Sequence, residues 1–133
     1  MNYTKPERVL VIDDESINNF IAQSILKKYY PDINVKCCLS AQEGLDFLHK
    51  LKSDGYSLPE YIFLDLNMRV MDGWDFLDEY IASGYSSEGT RIVILSSSVF
   101  KHDADRAMAY NVVFDFISKP LSPEHLHKLF NAE

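Results

Sequence analysis

The chain has 133 residues, 47% apolar and 25% charged, which fits one folded domain and argues against intrinsic disorder. With 13 basic and 20 acidic side chains, the formal net charge is −7. That balance argues against a chain whose main work is gripping nucleic acid or an anionic membrane, and leaves room for a cationic partner or a divalent metal.

The chain reads as strand then helix, repeated. Met1 to Arg8 is polar and lacks an apolar signal core. Val9 to Ile12 is a continuous, β-branched apolar run, suited to a strand covered on both faces. Ile17, Phe20, Ile21 and Ile25 then recur at helical spacing, and Pro31 closes that segment. Ile33 to Leu39 reads as a second strand. Within it, the adjacent Cys37 and Cys38 point to opposite faces and form no metal or redox motif. Ser40 and Glu43 have capping-box spacing, and Ala41, Leu45, Leu48 and Leu51 make the following helix amphipathic. Gly55 and Pro59 break the chain before a third strand, Tyr61 to Leu64. Trp74, Leu77, Tyr80 and Ile81 mark a third helix ending near Gly84. A fourth strand spans Ile92 to Leu95, a weaker helix about Asp103 to Tyr110, and a fifth strand Val112 to Ile117. Ser122-Pro123-Glu124 opens a last helix, striped by Leu126, Leu129 and Phe130.

Five such units predict an α/β fold, a doubly wound five-stranded parallel sheet with helices on both faces. In such sheets ligands sit outside the carboxyl ends of the strands, near the switch in strand order. The unusual polar residues fall there. Asp13 and Asp14 follow the first strand, Asp65 the third, Ser96-Ser97-Ser98 the fourth and Lys119-Pro120 the fifth. Singly, each reads as a loop charge or a helix cap. Together, three carboxylates need a cation between them, and Mg²⁺ takes oxygen ligands of this kind. An aspartate beside such an ion can attack a phosphoryl group. Asp65 is then the nucleophile, Asp13 and Asp14 carry the metal, and Lys119 and Ser96 hold phosphoryl oxygens.

These residues, in this order, resemble the response-regulator receiver domain of two-component signalling. The resemblance runs from Val9 to about Phe130 and rests on Val-Leu-Val-Ile-Asp13-Asp14, Phe63-Leu-Asp65-Leu-Asn-Met, Met71-Asp-Gly73, Ile94-Leu-Ser96-Ser and Ile117-Ser-Lys119-Pro120. It implies a flavodoxin-like receiver fold with Asp65 as the phosphorylated aspartate. Asp14 would ligate Mg²⁺ (or Mn²⁺) directly, Asp13 through water, and Asn67 through its backbone carbonyl. Ser96 would be the switch hydroxyl and Phe116 the switch aromatic. Lys119 would contact the phosphoryl group, with a cis bond to Pro120. A sensor histidine kinase or a histidine phosphotransfer protein would be the donor. The face made by the fourth helix, fifth strand and fifth helix would change its affinity for a downstream protein. The domain would catalyse its own phosphorylation and dephosphorylation without being a classical enzyme.

Some positions depart from the family pattern. Arg69 stands where proline is usual, and reads first as a solvated loop residue and second as a contact for an acidic partner. Asn111-Val112 replaces a small Gly-Ala pair, and Asn tolerates a left-handed turn. Ser98 and Asn67 match positions that tune hydrolysis of the phosphoryl group, and Phe100 is a candidate partner contact. His49, His102, His125 and His127 do not read as phosphotransfer histidines or as a metal pair.

Three alternatives stand beside this reading. An aspartate-nucleophile phosphatase would want a second acid where Asn67 stands. A flavin or nucleotide carrier would want a phosphate loop where Asp13-Asp14-Glu15 stands. A receiver-fold module working without phosphorylation would not need every polar site position filled. The expectation is a single cytoplasmic receiver domain over 1–133, core about 8–131, with no output domain, no membrane insertion and no direct nucleic-acid contact.

Overall fold

The computed structural model describes residues 6–97 and 101–130. Ser98 and Phe100, singled out above, lie outside the described residues. Five strands form one sheet: β1 (Arg8–Ile12), β2 (Asn34–Cys38), β3 (Tyr61–Leu64), β4 (Arg91–Ser96) and β5 (Val113–Ser118). Between and after them run α1 (Ser16–Tyr29), α2 (Ala41–Ser53), α3 (Gly73–Ala82), α4 (Lys101–Met108) and α5 (Pro123–Phe130). The strand order is β2-β1-β3-β4-β5, and each paired strand is parallel. The expected fold is therefore present. Among the described residues, no helix is long and apolar enough to cross a membrane.

Strand periodicity divides the core in two. Leu10, Ile12, Ile62, Leu64, Ile92 and Ile94 pack against Leu45, Leu48, Phe76, Leu77, Tyr80 and Ala107 of α2, α3 and α4. Val9, Val11, Tyr61, Phe63, Val93 and Leu95 pack against Ala22, Leu26, Leu126, Leu129 and Phe130 of α1 and α5. Both faces of β1 and β3 are thus covered, which is why these strands read as unbroken apolar runs. Cys38 is buried and Cys37 half-buried, as the alternation requires. Burial pushes the Cys38 thiol up to about 12.

β5 breaks the alternation. Ile92 pairs with Val113 but Val93 pairs with Asp115, so β5 carries one extra residue, a bulge. Past the bulge, Phe116 lies opposite Ile94 and packs on the same core face as Val113. Phe114 stays on the other side, with the Arg91 guanidinium 4.4 Å from its ring centroid.

The helical spacing of Ile17, Phe20, Ile21 and Ile25 located α1, but α1 buries Asn19, Ala22 and Leu26, and of the four expected residues only Ile25 packs half-buried against the same core. Ile17 and Phe20 are 58% and 64% exposed. The buried trio is also helically spaced, with a polar residue at its first position. At α2, Ser40 Oγ accepts from Glu43 N (3.0 Å) as expected, while Glu43 Oε1 accepts from Leu39 N (2.9 Å) rather than from Ser40. A full capping box not seen in the sequence, Asp72 with Asp75, starts α3. A 3₁₀ turn, Tyr85–Glu88, also went unanticipated. The α4 helix starts two residues earlier than expected and ends two earlier. Its last turn tightens into i→i+3 bonds, Ala109 N to Arg106 O and Tyr110 N to Ala107 O. Among the described residues, the non-glycine with positive φ is Val70 rather than Asn111, so the turn before β5 needs no left-handed residue at Asn111.

Candidate functional site

The strand order reverses direction between β1 and β3, so a crevice opens outside their carboxyl ends. Asp13 is the first residue past β1, and its N–H continues the ladder to Cys38 O (3.2 Å). Asp65 is the first residue past β3, and its N–H donates to Ile12 O (3.0 Å). Both carboxylates are buried by their position at the sheet edge. Asp14 adds a third. Oxygens of Asp13, Asp14 and Asp65 lie within 4.8 Å of one another, the arrangement expected from the sequence.

Lys119 reaches this cluster from the end of β5. Its Nζ is 2.6 Å from Asp13 Oδ2 and 3.3 Å from Asp65 Oδ1. The Lys119–Pro120 bond is cis, as expected, and Lys119 N donates to Ser96 O (2.8 Å). That bond ties the lysine backbone to the end of β4, where Ser96 is fully buried. Asn67 is exposed beside the cluster, and its N–H lies 3.4 Å from Asp65 Oδ1. Phe116 is half-buried.

The electrostatics follow from this crowding. Burial holds the Asp65 carboxyl above the usual carboxylate range, the Asp13 charge adds to that, and Lys119 and the Asn67 N–H oppose it. Burial alone would pull the Lys119 ammonium down. The hydrogen bond to Asp13 and the charges of Asp65 and Asp13 outweigh it, so its pKa lies above the ordinary lysine value. The lysine is therefore charged at neutral pH. The donor set is oxygen only, anionic and close-set, and fits a hard divalent cation. What is plain from the geometry is an acidic cluster able to bind a metal.

Three features of the site were not read from the sequence. Asn19, on the buried face of α1, donates to Asp13 O (3.0 Å) and Cys38 O (3.2 Å) and so holds the loop carrying Asp13. Gly73 starts α3 so close to the loop after β3 that a Cβ there would lie 2.7 Å from Asp65 O and 2.8 Å from Leu66 Cα. Arg69 is exposed, as expected of a loop residue, but its acidic contact lies within the chain. Its N–H donates to Asp14 Oδ2 (3.2 Å), and its Nε is 3.6 Å from the same oxygen. Asn19 had a signal in its spacing with Ala22 and Leu26. The Arg69 contact had none.

A fold of this order with this cluster at its switch point defines a class, and comparison with known proteins agrees. Residues 9–131 match the family model described as "Response regulator receiver domain". The chain belongs to that family. It is a receiver, a phosphoacceptor signalling domain. The crystal structure of a two component response regulator from Cytophaga hutchinsonii is 28% identical, covers 95% of each chain and superposes with a TM-score of 0.87. Hybrid signal transduction histidine kinase F of Dictyostelium discoideum is 32% identical over 131 residues, which make up 95% of this chain and 11% of that protein. Sensor histidine kinase CheAY of Helicobacter pylori is 31% identical over 118 residues, 89% of this chain and 14% of that protein. The chain thus spans a small part of the length of these two kinases.

Proposed function

We propose that Asp65 accepts a phosphoryl group from a phosphohistidine, and that the charge it acquires resets a protein-binding face. The observation that carries this is the placement of Asp65 at the end of β3, with Asp13 and Asp14 oxygens close by and the Lys119 ammonium 3.3 Å away. A Mg²⁺ (or Mn²⁺) ion held by Asp13, Asp14, Asp65 and the Asn67 backbone carbonyl would supply positive charge to the phosphoryl oxygens. The chain's own residues do the rest. One Asp65 carboxylate oxygen forms the new O–P bond as the donor's P–N bond breaks, and the imidazole leaves with that electron pair. Lys119, already charged and held by Asp13, pairs with a phosphoryl oxygen. Ser96 donates its hydroxyl to another.

The same contacts provide the switch. Drawing Ser96 toward the phosphoryl group frees volume at the end of β4, and Phe116 takes it up. Phe116 has no hydroxyl, so packing alone distinguishes its inward and outward positions. Its neighbours α4, β5 and α5 then present a changed surface to a downstream protein, a local charge biasing a bistable element.

A protein donor also needs a place to sit. Ile17, Phe20 and Ile21 leave an apolar strip on α1 exposed, and Ile21 borders a cleft with Lys119, Pro120 and Leu121 at the site's edge. A histidine kinase or a histidine phosphotransfer protein would dock there. The test is phosphotransfer from a phosphorylated histidine phosphotransfer protein to the wild type and to Phe20→Glu. Transfer to the wild type, slowed at least about tenfold in the variant while a small-molecule donor labels both equally, supports the reading. Failure of every phosphohistidine donor to label the wild type would favour a phosphorylation-independent module.

A further inference from the structure

Two cations share the three carboxylates of the site, and they do so unequally. Lys119 serves Asp13 and Asp65 from a side chain only 16% exposed. Arg69 serves Asp14 from a side chain 84% exposed. Its Nε at 3.6 Å from Asp14 Oδ2 makes an ion pair and not a hydrogen bond. An exposed guanidinium in a single long contact moves away at little cost.

The backbone keeps it close nonetheless. Arg69 N donates to the same Asp14 oxygen (3.2 Å). The next residue, Val70, has φ 69°, and Met71 N donates to Arg69 O (2.8 Å), so the chain reverses in a tight i→i+2 turn. A β-branched residue in the left-handed region is strained, and Val70 is fully exposed, so no packing of its side chain offsets that strain. The strained turn fixes the Arg69 N–H against Asp14 and leaves the guanidinium tethered a few ångströms from the cluster.

We propose that Arg69 is a displaceable counter-ion of the metal position: it pairs with Asp14 in the metal-free protein and weakens binding of a divalent cation there. This rests on the reading that Asp13, Asp14 and Asp65 hold that cation. A residue with no charge at position 69 would leave Asp14 uncompensated and the cation better held. The chain therefore needs more divalent metal to load than the same cluster would without its arginine.

The test is a Mn²⁺ titration of the unphosphorylated protein, following free Mn²⁺ by electron paramagnetic resonance. Wild type, Arg69→Gln, Arg69→Lys and Asp14→Ala are compared at low and high salt. Arg69→Gln is expected to bind about three- to tenfold more tightly at low ionic strength, with the gain shrinking toward unity at roughly 0.5 M salt, because the effect is that of one nearby, solvent-screened charge. Arg69→Lys keeps the charge and stays within about twofold of wild type. Asp14→Ala loses binding. Equal or weaker binding by Arg69→Gln overturns the proposal. So does a gain equally large in Arg69→Lys or indifferent to salt, since turn geometry and not charge would then be responsible. If wild type and both Arg69 variants are folded by circular dichroism yet take up no Mn²⁺ at millimolar concentration, the metal reading itself falls, and the proposal with it.

Discussion

The Lys119 ammonium is held more closely by Asp13 than by Asp65, at 2.6 Å against 3.3 Å. Asp65 is thus the less firmly paired of the two buried carboxylates. Removing the lysine leaves both without their cation. Lys119→Met is expected to destabilise the metal-free fold by about 3 kcal/mol, the scale for breaking a largely buried ion pair. Its raised pKa sets the pH dependence. The stabilisation is fully present below the ordinary lysine pKa and is lost as pH rises through the raised folded-state value. Denaturant melts of wild type and variant should therefore converge at strongly alkaline pH. A constant gap there would contradict the pairing.

Asp65 has the opposite linkage. Its folded-state pKa is raised, chiefly by burial and then by Asp13, so the ionised carboxylate strains the fold. That cost is fully present above the raised pKa and absent below the ordinary aspartate value. Asp65→Asn is expected to be more stable than wild type at neutral pH in chelator, on the order of 1 kcal/mol. The advantage should vanish on acidification, and also shrink when Mg²⁺ is added. A variant less stable than wild type at neutral pH would refute this.

Gly73 and Gly55 separate two uses of glycine. At Gly73 a Cβ would strike the backbone of Asp65 and Leu66, so the loop after β3 must itself shift. Gly73→Ala is expected to cost about 2 kcal/mol and to slow phosphorylation of Asp65. At Gly55 a Cβ meets nothing within 4 Å, but φ is +86°. Gly55→Ala should cost about 1 kcal/mol and leave phosphorylation at the wild-type rate. Melting curves and phosphorylation rates of the pair check both statements.

Trp74 offers a reporter for the switch. The Arg106 guanidinium of α4 lies 4.0 Å from the Trp74 ring centroid, and Tyr110 stacks on the same ring at 6.0 Å. Movement of α4 on phosphorylation should change Trp74 emission. Ser96→Ala should still accept the phosphoryl group, confirmed by mass, while losing most of that emission change. A full wild-type response in this variant would remove Ser96 from the switch.

Much of this molecule was legible in its residues, for identifiable reasons. β1 and β3 are covered on both faces, so their composition announces them. The site residues end strands, and parallel topology brings strand ends together, so Asp13, Asp14, Asp65 and Lys119 met as expected. What was hidden depends on backbone detail. The β5 bulge sets the side to which Phe116 points, yet no residue type marks it. Of the apolar residues that located α1, Ile17, Phe20 and Ile21 face outward and only Ile25 packs on the core, because the sheet in that position accepts Asn19, Ala22 and Leu26 and the site's edge is left apolar. Arg69 reaches Asp14 through a turn centred on Val70, a residue whose type argues against the conformation it adopts.

The most direct measurement is the intact mass after incubation with a small-molecule phosphoryl donor, in Mg²⁺, in chelator, and with Asp65→Asn. The account predicts a gain of one phosphoryl group in Mg²⁺, none in chelator and none in the variant. A gain of the same size in Asp65→Asn, or one indifferent to chelator, would contradict a metal-assisted phosphoacceptor at Asp65.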